Sequence, residues 1–263
     1  MRLGWKIFAH SVQMVVGNWR EALRIGLVPS TLIAMASFLY LHILTSVYGE
    51  RGIQPWSDWY GSMSVPAQSG FVLVVLGHLF VILWMYIAWH RFELLEEIPQ
   101  SWIPPVNLRL MASYLKQSAI VLGTAILFGI AAGIVTYFAL IAFVNMGFLP
   151  KSITPLSVVV SSFVCFFFVF RMGVALPAAA IGKSTGVRAA LTLTKGKVGT
   201  LLFLAFLQYI VIFCASFLIT AVSWAEPIAA TASDVIVQLF ASLLGVSVWT
   251  TMFGVFVQGR ELT

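Results

Sequence analysis

Apolar residues run almost unbroken through six stretches of the chain, at 25–47, 69–90, 117–143, 155–171, 198–224 and 235–257. At about 1.5 Å of rise per residue, helices of these lengths approach or exceed the ~30 Å hydrocarbon thickness of a bilayer. None alternates apolar and polar residues as a barrel strand would, so all six read as transmembrane helices. Three of them end alike. Trp84 and Trp89 precede Arg91, Phe168–Val169–Phe170 precede Arg171, and Phe256–Val257 precede Arg260. Aromatics at headgroup depth followed by charge mark a helix leaving the membrane.

Between the runs the pattern changes period. Over residues 1–24, Lys6, His10, Gln13, Arg20 and Arg24 share one helical face and Phe8, Val12, Val15, Trp19 and Leu23 the other. That spacing predicts an amphipathic helix lying in the interface rather than a signal peptide, whose compact apolar core and cleavage site are missing. Pro29 falls in the first turn of the span after it, where proline is tolerated. Residues 48–68 form a loop carrying Trp56 and Trp59. Segments 91–116 and 182–197 are two further interfacial stretches, the first broken by Pro99, Pro104 and Pro105.

The expected fold is therefore all-α: a polytopic membrane helical bundle, one integral membrane domain over 1–263, with six transmembrane helices and amphipathic interfacial helices. It also reads as three repeated helix-hairpin units. Arg109, Ser113 and Lys116 recur with the same spacing as Arg188, Thr192 and Lys195. The blander reading is that any basic helix feeding a membrane hairpin looks this way.

Composition agrees, at 60% hydrophobic and only 9% charged, against about 25% charged in soluble domains. The net charge of +6 is unevenly placed. Thirteen of the 15 Lys and Arg lie in the N-terminal segment, the two interfacial stretches, the tail and, as Arg171, the end of the fourth span, and only Arg51 and Lys151 on the opposite side. The positive-inside rule then puts both termini in the cytoplasm. Positive charge spread over span ends suits anionic lipid headgroups on that side, not nucleic acid. Another membrane protein, or a second copy of this chain, is the other expected partner. Cys165 and Cys214 sit within apolar runs and read as small hydrophobes rather than a disulfide.

Candidate chemistry is sparse. Gly129 and Gly133 form a G-x-x-x-G on which a neighbouring helix could pack closely. Gly182–Lys183–Ser184 resembles the end of a P-loop, but Pro177 stands where its first glycine belongs. The same stretch matches G-x-S-x-G without the preceding strand that motif needs, so Ser184 reads as a helix cap. His90, Glu93 and Glu97 share a face at i, i+3, i+7 and read as a solvated interface beside Arg91. His42 and His78 lie inside the first two spans, where a histidine is costly and turns toward protein. Their depths differ too much for paired haem ligation. Both read as hydrogen-bonded packing residues or proton-handling groups. Arg171 closes a short span and reads as a snorkelling anchor, while Phe166, Phe167 and Phe168 read as a lipid-facing surface for a partner. No catalytic, cofactor-binding or metal-ligating constellation emerges, and no cofactor is expected.

The run from Trp89 to Glu97, then Pro104–Pro105 and Arg109–Leu110, resembles bacterial multi-pass membrane proteins of uncharacterised function. So do Ala175–Leu176–Pro177–Ala178 after Arg171 and the stretch Leu191–Thr192–Leu193–Thr194–Lys195–Gly196. The overall plan is similar to the membrane domain found beside glycerophosphodiester phosphodiesterases. That resemblance implies a bacterial inner-membrane location. The phosphodiesterase activity does not carry over, because its catalytic domain is not in this chain. The expected function is a non-enzymatic accessory, scaffold or assembly protein, the alternative a transporter or channel for a small solute or lipid.

Overall fold

The computed structural model describes residues 2–48, 65–148, 155–183, 185–225 and 227–262. Among the described residues there are nine helices and no strand: α1 (Arg2–Gly17), α2 (Trp19–Tyr48), α3 (Val65–Leu95), α4 (Leu108–Asn145), α5 (Leu156–Gly173), α6 (Leu176–Ala180), α7 (Val187–Leu193), α8 (Val198–Ala225) and α9 (Pro227–Phe256). Five of them, α3, α4, α5, α8 and α9, are long and apolar enough to cross a membrane. The chain is an all-α multi-pass membrane protein. Helix α2 runs unbroken through the predicted first span, but its side chains at 37 and 40–48 lie outside the described residues, as does the loop with Trp56 and Trp59. Pro29 lies well inside α2 and not in its first turn, because the helix starts at Trp19.

Consecutive long helices pair as hairpins, α2 with α3, α4 with α5 and α8 with α9. Helix α9 is the hub, packing also on α1, α2, α3 and α6. The three hairpins are entered differently. A break at Asn18 separates α1 from α2, and residues 194–197 separate α7 from α8. In the middle unit Arg109 and Lys116 instead ride on α4 itself, which starts at the cap of Asn107, whose side chain accepts from Leu110 N at 3.1 Å.

Packing is concentrated at one end of the bundle. In α3 every buried residue falls between Leu83 and Leu94. One core cluster there joins Ile7, Leu94, Val174, Ala178, Leu204 and Phe253, from five different helices and the α5–α6 junction. Both described chain ends reach this cluster, with Leu3 and Leu262 packed against it. The other ends of the helices present large apolar side chains outward, as lipid requires.

Two sequence expectations change here. Helix α1 does not face the bundle with its bulkiest residues. Its buried stripe is Gly4, Ile7, Ser11 and Val15, while Phe8 and Val12 are half-buried. The reason is contact with protein rather than lipid. A Cβ at Gly4 would stand 2.9 Å from the Phe203 ring of α8, and the Ser11 hydroxyl reaches both Ile7 O (2.8 Å) and Thr251 Oγ1 of α9 (3.0 Å). Likewise Phe166, Phe167 and Phe168 are half-buried against the protein's own core clusters, so they are not a free lipid-facing surface.

The segment that looked like phosphate-binding text is the end of a buried helix. Residues 172–180 are all buried, and their small side chains let α6 pass between α3, α4 and α9. Gly182 follows at φ 75°, with Lys183 N donating to Ala178 O (2.8 Å) and Gly182 N to Ala179 O (3.2 Å). These two bonds form a Schellman cap, which closes a helix C-terminus and needs a residue that tolerates positive φ. A C-terminus offers carbonyls rather than N–H groups, so no phosphate cradle forms. Ser184 lies outside the described residues.

A candidate polar site between α3 and α9

The last two turns of α3 carry Trp89, His90 and Glu93, and α9 faces them with Ser247 and Thr250. Offsets of three and four put each set on one helix face. His90 is fully buried, with Nδ1 2.7 Å from Thr250 Oγ1 and Nε2 3.1 Å from the Tyr114 hydroxyl of α4. Thr250 Oγ1 donates to Val246 O at 3.0 Å, so it accepts from His90, which fixes the imidazole proton on Nδ1. Tyr114 then donates to Nε2, and every polar atom of the ring is used. His90 thus ties three membrane helices together.

A second chain of bonds runs beside it. Trp89 Nε1 donates to Ser247 Oγ at 2.7 Å, and Ser247 in turn donates to Glu93 Oε1. There the chain of partners stops. Glu93 Oε2 is buried and has no hydrogen-bond partner among the described residues. A buried acceptor without a donor costs about 1–3 kcal/mol, and more when charged.

Glu93 lines a cleft of about 190 Å³ between α1, α3, α9 and the tail. Its other polar walls are His10, Thr250, Thr251, Arg260 and Glu261. The tail reaches the cleft because it folds back after α9, with Arg260 N donating to Gly254 O at 2.9 Å. The stem of Arg260 then rests on Gly254, where a Cβ would stand 3.4 Å from Arg260 Cδ. The cleft holds several waters or one small molecule, taking about 30 Å³ per water. Its charge is mixed, with carboxylates and a guanidinium in one wall.

His90, Glu93 and Glu97 are not one solvated face. His90 is buried, Glu93 is half-buried with its Oε2 enclosed, and of the three only Glu97 is exposed. The helix ends before i+7 is reached. Glu96 adopts φ 56°, its N–H donating to Phe92 O at 3.0 Å, and the turn carries Glu97 back toward α3. Glu97 there meets Arg91, which donates from Nε to Oε2 at 2.8 Å and from Nη2 to Oε1, a two-pronged pair. Arg91 Nη1 also reaches Ala180 O, the last carbonyl of α6, at 3.5 Å.

Arg171 makes one longer bond, from Nε to Thr194 Oγ1 at 3.4 Å. The two arginines should therefore respond differently to lysine. Arg91→Lys loses the two-pronged geometry and is expected to lower stability by about 1 kcal/mol, whereas Arg171→Lys should cost less than half of that. Thermal melting of both variants in one detergent checks the order. Equal losses would count against a special role for the Arg91 fork.

The other sequence candidates lie elsewhere. His78 is half-buried with Nδ1 2.8 Å from Val74 O of its own helix, far along α3 from His90. The His42 side chain lies outside the described residues. Gly129 and Gly133 lie at the contact of α4 with α5, remote from the cleft. Among the described residues no three His, Cys, Asp or Glu side chains come together as a metal site would need.

Sequence reasoning missed Tyr114, Ser247, Thr250, Ser11 and Arg260 as parts of one site. One signal was present. Ser247, Thr250 and Thr251 share the last turns of α9, which is the most buried of the five span-length helices. Hydroxyls on a buried face need partners, and His90 and Glu93 supply them. Compared with known proteins, the chain matches no family model, no curated protein and no solved structure.

Proposed function

We propose that this chain is a bacterial inner-membrane protein with both termini in the cytoplasm, and that it handles a small solute or lipid by binding it in the Glu93 cleft. One observation carries the binding reading: in the wall of a cleft, Glu93 Oε2 is a buried acceptor without a partner among the described residues. An ionisable side chain in such a place marks a functional site in membrane proteins by default. The missing partner is a hydrogen-bond donor, preferably cationic, so the ligand class is a small amine. The alternative, a passive scaffold, is favoured less because its proposed docking residues Phe166–Phe168 pack against the protein itself. The cleft lacks a paired nucleophile and base, so no reaction is proposed. Orientation follows from the thirteen-to-two distribution of Lys and Arg.

Two experiments test this. A phosphatase fused after Thr263 should be inactive and a fluorescent protein there bright; an active phosphatase would reverse the orientation. Protein purified in mild detergent should melt several degrees higher with a saturating primary amine, as binding to the folded state alone requires. A flat response to amines, with a second membrane protein co-purifying in fixed ratio, would favour the scaffold instead.

A further inference from the structure

We infer that the ligand of this cleft is a phosphate ester of a primary amine, the chemistry of an ethanolamine phospholipid headgroup; the inference rests on the cleft being a binding site at all. A bare amine uses only half of what the cleft presents. Glu93 supplies an acceptor on the inner wall, and Arg260 supplies a guanidinium from the tail. Among the described residues Glu93 has no ion-pair partner, and neither has Arg260. Arg260 is held by its own backbone, through the bond to Gly254 O and the stem packed on Gly254, rather than by a carboxylate. Its exposed guanidinium, with no ion-pair partner among the described residues, is open to a phosphate.

An acceptor and a cation lining one small cleft match a zwitterion. The amine end must carry N–H bonds, because Glu93 Oε2 lacks a donor and not merely a positive charge. A quaternary ammonium has no N–H and leaves that oxygen unpaired, so choline esters are excluded on chemical grounds. Glycerol phosphates lack the cation altogether. The apolar walls, Met14, Leu94 and Leu262, suit the ethylene linker of such an ester.

Binding of ethanolamine and of phosphoethanolamine to the purified protein separates the two levels of the proposal. Phosphoethanolamine should bind at least about tenfold more tightly, the gain of one charge-assisted pair. Arg260→Gln should bring the ratio of the two affinities close to one, whereas Glu93→Gln should abolish binding of both ligands. Arg260 is exposed, so its variant should fold, and Glu93→Asp serves as a second probe should Glu93→Gln express poorly. Equal affinities for the two ligands, or a gain that survives Arg260→Gln, would overturn the phosphate assignment while leaving the amine site intact. Binding of neither ligand would overturn the site itself.

Nanodiscs identify the source. A rise in melting temperature with phosphatidylethanolamine over phosphatidylcholine and phosphatidylglycerol supports a lipid ligand. Tight binding of glycerophosphoethanolamine with no preference among nanodiscs supports a soluble ester.

Discussion

His90→Leu is expected to be among the most damaging single changes in this protein, lowering its stability by about 3–5 kcal/mol. The imidazole is fully buried and is, among the described residues, the hydrogen-bond partner of the Tyr114 hydroxyl while donating to Thr250. Leucine fills similar volume but offers no polar atom. Thr250 keeps its bond to Val246 O, so the larger cost falls on Tyr114. Removing that hydroxyl as well should return part of the loss, because a buried pair replaced on both sides costs less than one half left behind. His90→Leu with Tyr114→Phe is thus expected to melt above His90→Leu alone, by the equivalent of about 1–2 kcal/mol. A double variant no better than the single would mean that the Tyr114 bond contributes nothing. The comparison needs only purified protein and a melting curve.

Gly129→Leu should be the second severe change. A Cβ there would stand 2.8 Å from Cys165 Cβ and 3.0 Å from the Ser161 carbonyl oxygen of α5, one of them a backbone atom. Helix α5 cannot yield locally, so the two helices must part. Parting stretches the Ser161 Oγ bond to Gly129 O (2.7 Å) and the Phe128–Phe168 stack, whose rings are 4.1 Å apart and 8° from parallel. Overpacking of this kind costs about 1–3 kcal/mol, and the lost bond and stack bring the expected total to the upper end. Gly133→Leu should be milder, because its contacts at 3.0 Å are the Cβ and hydroxyl of Ser161 rather than main chain. The order of the two losses, measured by melting or by helix-pair association, is the test. A larger loss at Gly133 would contradict the geometry.

What the sequence shows well here is whatever depends on near neighbours. Continuous apolar runs mark the span-length helices, and the four-residue step from Gly129 to Gly133 marks where α4 and α5 approach. The polar site is legible only in pieces. His90 bonds to residues 24 and 160 positions away, and no periodicity reports such distances. Its neighbours mislead as well. Helical spacing places Glu97 on the His90 face, but Glu96 turns out of the helix first. In α1 the largest apolar residues mark one face, while the bundle takes the face with Gly4 and Ser11, because close protein contact rewards small residues and hydroxyls over bulk. Arg260 reads as a span end on charge alone. Its place in the cleft depends on the tail folding back over Gly254.

Everything functional rests on Glu93 meeting a ligand, and infrared difference spectroscopy observes that carboxyl directly. Protein in nanodiscs would be recorded with ethanolamine washed in and out, for the natural chain and for Glu93→Gln. A ligand-dependent change in the carboxyl bands is expected in the natural chain and should vanish in Glu93→Gln, which keeps the side-chain shape but not the acid. Identical difference spectra from the two proteins, with ethanolamine bound to both, would contradict the assignment of Glu93 as the group that receives the amine.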